Sequence, residues 1–450
     1  MRRTACGFHI QFSELCRTIS TSALSTSTPP QVSPESTPAN GISQLATVIW
    51  QPCLVFVPLL LIGVVLWLCP SMEGASGYLI REEVSFGNLG ILTAWYSCIM
   101  VCAVFGQKLA LSIPRLNVMA KGSIDTDTFY VALTVLAMLG VVGAWMAALR
   151  AGPSLIELAK TQQFNLLKDA LYENYNHLYS LRYTSSLVGG YAIYRIVFLK
   201  TMSRLDVLNI VLLLAAAAIS ARILIVQAVL FSGGLAVRFN DIGRIGTRTI
   251  VVAGMVLAVL IVALTWVRSA GSYRDHFGIR NPVVMTFLEV QRYLGAPVQA
   301  SVGVARIAAD QPARGSISNV IKYVTPTFMH PESMKPEDHS GGVAAQWYLH
   351  DVDISETLTT NSAFVDMYGD LGFWAFPVMA WSSFLMATIG SYFWRSDNLL
   401  CLIGCIVLYG FFELWRTYYF SAGSFTFLIM AVLVAAGAAS LATAKPQVAS

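Results

Sequence analysis

The 450-residue chain is 56% hydrophobic and 12% charged, with a net charge of +4 and a mean hydropathy of +0.62. An average soluble domain carries about 25% charged residues, so this composition excludes a water-soluble globular fold, and the small net charge gives no support to nucleic-acid binding. The eight cysteines show no CxxC or Cys/His zinc spacing; Cys98/Cys102 and Cys401/Cys405 lie four apart inside apolar runs, which fits packing residues rather than a disulfide framework.

In chain order, the Ser-, Thr- and Pro-rich start predicts a disordered cytoplasmic tail over 1–43. Apolar runs of crossing length follow at 45–68, 89–111 and 129–149. Residues 153–182 are not a span: Leu155, Leu158, Phe164, Leu167, Leu171, Tyr175 and Leu178 recur at mostly helical steps, with Lys160, Lys168, Asp169 and Glu173 on the remaining face. That pattern predicts an amphipathic helix on the outer surface, acting either as a packing strut or as a guide for lipid. A shorter apolar run covers 186–199.

The run 207–237 is too long for one untilted helix and carries Arg222 near its middle, where a guanidinium is expensive in lipid. A hairpin with residues 220–222 at the outer turn removes that cost, at the expense of two short legs. A further span is expected at 247–267, and three more at 372–394, 399–415 and 425–442. Positive-inside counting supports the split. It puts Lys108, Arg115 and Lys121, the 195–204 segment, and Arg238, Arg244 and Arg248 on one side, and the acidic 73–83 turn on the other. The predicted fold class is an all-α polytopic membrane protein of about ten transmembrane helices, both termini inside, with one large outer loop that is partly helical. Spans 1–7 fall within 44–268, the loop within 269–371 and spans 8–10 within 372–450. Trp67, Trp145, Trp266, Trp374 and Trp415 then fall near the outer interface.

No GxGxxG after a strand, P-loop or HExxH motif is present. The outer loop holds seven Lys/Arg and eleven Asp/Glu, among them Arg274, Arg280, Arg292 and, near it, Arg416 at a later helix end. Guanidinium groups facing outward at a membrane surface suit a phosphate-bearing lipid, because Arg binds phosphate oxygens bidentately and keeps its charge. Taken singly, each is as easily a solvated or acid-paired surface charge. In the segment 357–372, Asp366 and Asp370 lie four apart, which on a helix places both on one face. Asp370 meets the membrane where the next span begins. It is a candidate general base or, more plainly, a helix cap or dipole partner.

Three stretches resemble the Wzy-type oligosaccharide repeat-unit (O-antigen) polymerase family: Ser220-Ala-Arg222; Tyr293-Leu-Gly-Ala-Pro-Val-Gln299 with Gly315-Ser-Ile-Ser-Asn319; and Thr359-Thr-Asn-Ser-Ala-Phe364 with Tyr368-Gly-Asp-Leu-Gly372. With the helix layout, the resemblance covers about residue 41 onward. Leu371 stands where the family's usual Tyr-x-Asp-Phe-Gly order has Phe. The resemblance implies a membrane glycosyltransferase in the bacterial cytoplasmic (inner) membrane. It would extend glycans carried on undecaprenyl diphosphate at the periplasmic face, with no cofactor or metal, beside a chain-length regulator protein. It further implies Arg222, Arg274 and Arg280 as diphosphate ligands, with Arg292 and Arg416 as weaker candidates. Asp370 or Asp366, with His330 as the alternative, would be the base, and Tyr368 would contact the acceptor sugar. The O-antigen ligases that load lipid A core share this layout, and a polysaccharide-related transporter is the third reading. The lack of a convincing repeat between the halves, and the concentration of polar residues at the outer surface rather than the midplane, count against the transporter.

Overall fold

The computed structural model describes residues 50–70, 72, 75–78, 80–151, 177–219, 223–242, 246–310, 317–326, 329, 352, 354 and 362–443. The chain divides into Met1–Asn40 and Gly41–Ser450, and all described residues belong to the second unit. The expected tail, and the amphipathic helix up to residue 176, lie outside them. Among the described residues every regular element is helical.

Four helical stretches are long and apolar enough to cross a membrane: Phe86–Ser112, Thr126–Arg150, Ala363–Trp394 and Gly423–Ala442. A fifth is reached if Val251–Val267 and Ser269–Phe277, bent by 62° at their junction, count as one span. Three shorter apolar helices accompany them, Val57–Leu68, Ile223–Arg238 and Cys401–Glu413. We number the helices α1 (Val57–Leu68), α2 (Phe86–Ser112), α3 (Thr126–Ala151), α4 (Thr184–Val197), α5 (Arg204–Ile219), α6 (Ile223–Arg238), α7 (Thr247–Phe277), α8 (Pro282–Leu294), α9 (Ala296–Asp310), α10 (Ala363–Leu371), α11 (Ala375–Trp394), α12 (Cys401–Glu413) and α13 (Gly423–Thr443).

Helix α2 illustrates how sequence fixes an element here. Ser85 and Asn88 cap its start reciprocally, Asn88 N–H donating to Ser85 Oγ (3.3 Å) and Ser85 N–H to Asn88 Oδ1 (2.9 Å). It ends before Pro114, which cannot continue a helix. One face, Trp95, Ile99, Ala103, Gly106 and Ala110, is buried. Val101, Phe105 and Leu109 on another face remain exposed, an apolar stripe that water would penalise and lipid would not.

The buried face of α2 packs on α11. Small residues let the backbones approach closely: a Cβ on Gly106 would lie 2.2 Å from the Phe384 carbonyl oxygen. Cys98 meets Phe376 near the start of α11 and Arg395 reaches Ala110 at its end, so α2 and α11 run parallel. Their amino ends share one end of the bundle and their carboxyl ends the other.

One expectation needs correcting. The first span does not run unbroken from residue 45: residues 50–56 form turns and α1 starts at Val57. Pro58 at its first turn suits a helix start, where an N–H has no partner in any case. The 269–371 region, expected to be partly helical, is helical from its first residues. Helix α7 runs on to Phe277 and stops at Gly278 (φ +66°), a left-handed cap that glycine adopts without strain. Arg274 and His276 therefore sit on a helix. Within 207–237 the structure has two 16-residue helices, α5 and α6, each about 24 Å long; the 220–222 turn lies outside the described residues.

The 269–371 region contributes α8, α9, a short helical turn over 317–324 and α10. Gln291 Nε2 on α8 lies 3.2–3.3 Å from the carbonyls of Leu66, Cys69 and Pro70 and shares its two protons among them, answering carbonyls that the end of α1 leaves open. Trp67 donates to Gln299 on α9 at 2.6 Å. Trp67 and Trp415 are buried in protein, so neither joins an interfacial belt; Trp266 and Trp374 are exposed.

Candidate functional site

Helix α10 is seated by Ser362, whose Oγ accepts from Val365 N–H (3.0 Å) and lies 2.9 Å from Ser301 Oγ on α9. Phe364, Val365, Met367, Tyr368 and Leu371 are buried. Gly372 then turns the chain with φ +58°, a conformation that strains residues with a Cβ, and α11 follows. This local sequence therefore delivers Asp366 and Asp370 on a short helix at the amino end of a membrane-length one.

Asp370 is mostly buried and its partners come from the 317–324 turn. Tyr323 Oη lies 2.9 Å from Asp370 Oδ2 and 2.5 Å from the Asp366 carbonyl oxygen, so its single proton is shared between them. Lys322 Nζ lies 3.2 Å from the same Oδ2. Asn319 donates to the Asp370 carbonyl at 3.0 Å. Burial, then the Asp370 and Asp366 charges, raise the Tyr323 hydroxyl well above its ordinary value of 10.0, so it stays a donor. Among the described residues no donor reaches Asp370 Oδ1, and one oxygen of an anchored carboxylate is left to take a proton.

A second polar group stands where α12 ends. Glu413 is 2% exposed and accepts from Arg416 Nε (2.8 Å) and NH2 (2.5 Å), both on Oε2. Tyr409 donates to Oε1. The Arg416 guanidinium lies 6.0 Å over the Tyr293 ring of α8. Its NH1 has no acceptor among the described residues. A buried charge pair of this kind is costly to desolvate and offsets that cost only through complete hydrogen bonding.

The turn after Glu413 links the two groups. Ala363 N–H donates to the Leu414 carbonyl (3.4 Å). Tyr418 donates to the Tyr323 carbonyl (3.0 Å), and its Oη lies 2.9 Å from Ser382 Oγ, which can donate to it. Tyr419 takes a hydrogen bond from Gln227 (3.1 Å) and packs edge-on against Tyr409.

Of the residues expected from sequence, Asp366, Asp370 and Arg416 thus come into one region. Arg292 is half-buried next to Tyr293 on α8. Arg274 and Arg280 come together elsewhere, lining an open cavity of about 380 Å³ with Trp266, Ala270 and Met285. Arg274 also pairs with Asp275 at 3.1 Å, both largely exposed, a pair worth little. Tyr368 is fully enclosed, stacked on Phe364 and edge-on to Phe373; in this conformation its ring offers no face to a sugar. Arg222 and His330 lie outside the described residues.

Sequence reasoning missed Lys322, Tyr323, Glu413 and Tyr418. Glu413 had a signal, a lone carboxylate in an apolar run with an arginine three residues on; the others had none. It also missed Arg182, which is 1% exposed. Its guanidinium lies 4.7 Å over the Tyr183 ring and donates to the Tyr179 carbonyl at 3.0 Å, with no carboxylate partner among the described residues. Among those residues no group of three or more His, Cys, Asp and Glu side chains is placed to hold a metal. No family model, curated protein or solved structure matches the chain.

Proposed function

We propose that the chain is a membrane glycosyltransferase that polymerises undecaprenyl-diphosphate-linked oligosaccharide repeat units at the periplasmic face of the bacterial cytoplasmic membrane, in O-antigen, capsule or exopolysaccharide synthesis. It would span the membrane about ten times with both termini inside. One observation carries the reading. Sequence stretches that resemble the polymerases, far apart in the chain, meet in space: Asn319 binds the Asp370 carbonyl, and Arg416, next to the turn that holds Ala363, faces Tyr293.

In the proposed reaction a hydroxyl oxygen of the newest lipid-linked repeat attacks the anomeric carbon of the growing chain. The bond from that carbon to the phosphate oxygen breaks, and its electron pair leaves with the lipid diphosphate. Asp370 takes the hydroxyl proton on its open Oδ1, while Tyr323 and Lys322 hold Oδ2. Asp366 is the alternative base within the described residues and His330 the one outside them. Arg416, through its open NH1, is the guanidinium in this region that meets the departing charge. Arg222, Arg274, Arg280 and Arg292 remain candidates for holding the diphosphate before and after transfer. The partners are the two lipid-linked glycans, membrane lipid and a chain-length regulator.

The test is a gel of surface glycolipid and secreted polymer from cells with and without the gene. Collapse of a long ladder to core plus one repeat supports the polymerase. Loss of every band above the core, with lipid-linked polymer accumulating, identifies a ligase. Unchanged glycolipid, capsule and secreted polymer would reject both enzyme readings in favour of a transporter.

A further inference from the structure

At the opposite end of α11 from Asp370, the carboxyl ends of α2 and α11 meet around a second cavity of about 170 Å³. Trp50, Gln107, Leu111, Ser391, Trp394 and Arg395 are among its walls. Its chemistry is mixed: two indoles and a leucine supply an apolar side, and a guanidinium, an amide and a hydroxyl a polar one.

Two of the polar groups are incompletely used. Ser391 is 8% exposed, and its Oγ is buried with no hydrogen-bond partner among the described residues, an arrangement that costs free energy unless something fills the site. Arg395 spends NH1 on the carbonyls of Ala110 (2.6 Å) and Ile113 (2.9 Å). Among the described residues its other donors have no partner and it has no carboxylate. Charge points the same way. Arg115 adds a like charge within electrostatic reach of Arg395. Among the described residues the acid paired at this end, Asp397, already serves Arg238 (2.6 Å) and Arg115 (3.3 Å). Two guanidinium groups share that carboxylate and Arg395 has none, so the surplus is positive.

The surroundings identify the anion's source. Leu111 in the cavity wall is an exposed apolar side chain of α2, and the half-buried Met100 and Val104 precede it on the same helix face, so acyl chains lying along that face bring their headgroup to the cavity. Indoles beside a cation at the end of membrane-length helices match the headgroup level of a bilayer. We propose that this cavity binds the phosphate of an anionic membrane phospholipid, held by Arg395 and Ser391 between Trp50 and Trp394. The site is independent of the polymerase reading and lies a full helix length, about 30 Å, from Asp370.

The test is native mass spectrometry of the detergent-solubilised full chain with phosphatidylglycerol, phosphatidylcholine or inorganic phosphate. The wild type is expected to retain phosphatidylglycerol about tenfold more tightly than phosphatidylcholine, the scale of one charge-assisted hydrogen-bonded contact. Arg395→Gln removes the cation, and Ser391→Leu fills the cavity while leaving Arg395 on its carbonyls. Each is expected to bring the preference below about threefold in protein that melts like the wild type. A wild type that does not prefer phosphatidylglycerol overturns the proposal, as does a preference surviving in Ser391→Leu. Equal stabilisation by inorganic phosphate alone, lost in Arg395→Gln, would assign the cavity to free anions and overturn the lipid assignment.

Discussion

The Tyr323 hydroxyl lies 2.9 Å from Asp370 Oδ2, so a side chain of the loop and a carboxylate at the mouth of a membrane-length helix share one proton. The contact spans 47 positions of sequence, and Lys322 closes on the same oxygen. It ties the 317–324 turn to α10 and orients the carboxylate.

This bond has a pH signature. The folded-state value of the Tyr323 hydroxyl is raised above 10.0, so its contribution to stability is fully present below about pH 10 and is lost as pH rises through the folded value. Tyr323→Phe is expected to cost about 1–3 kcal/mol at neutral pH, the scale for stranding a buried partner. Melting curves of wild type and variant in detergent should be separated by a constant gap up to about pH 10 and converge above it. A gap that widens with alkali would reject the assignment.

Glu413 and Arg416 separate structure from chemistry. Glu413→Gln leaves a guanidinium without its buried counter-charge and is expected to destabilise by about 3–5 kcal/mol. The double change Glu413→Leu with Arg416→Met removes both charges and should recover most of that loss in the thermal midpoint. Because Arg416 is assigned to the departing diphosphate, the double variant should remain inactive although stable. Full activity in it would remove Arg416 from the mechanism.

Helix proximity makes a third prediction. Gly106→Val puts methyl groups where the Phe384 carbonyl already stands and should destabilise by about 1–3 kcal/mol or more, as overpacking does. Gly90 lies on the same helix with nothing within 4 Å of its would-be Cβ. Gly90→Ala should therefore be neutral or stabilise slightly. Equal melting of both variants would mean that α2 and α11 do not pack as described.

Much of the fold is legible in the sequence because membrane spans are one-dimensional signals. The runs behind α2, α3, α11 and α13 are long enough to announce themselves, and the cost of Arg222 in lipid is enough to divide 207–237. The start of α1 is not legible from hydropathy, since Pro58 sets it rather than polarity. Nor is the extension of α7 to Phe277: the residues after Ser269 turn polar while the backbone goes on bonding as a helix. The site divides similarly. Asp366 and Asp370 are visible through their spacing, and Arg416 through its place at a helix end. Tyr323 is not, because its role depends on a contact made only when the loop folds back. Glu413 is hidden because one charge barely alters the hydropathy of an apolar helix.

The most direct measurement is polymerisation by the purified protein supplied with lipid-diphosphate-linked repeat units, comparing wild type with Asp370→Asn. Asparagine keeps an acceptor for Tyr323 but takes up no proton. Wild type should lengthen the glycan and release one lipid diphosphate for each bond formed. Asp370→Asn should melt within a few degrees of it and lose activity by about 10²–10⁴-fold, the range for a general base. Wild-type turnover by folded Asp370→Asn would contradict the role given to Asp370, and no elongation by active-membrane preparations of the wild type would contradict the polymerase itself.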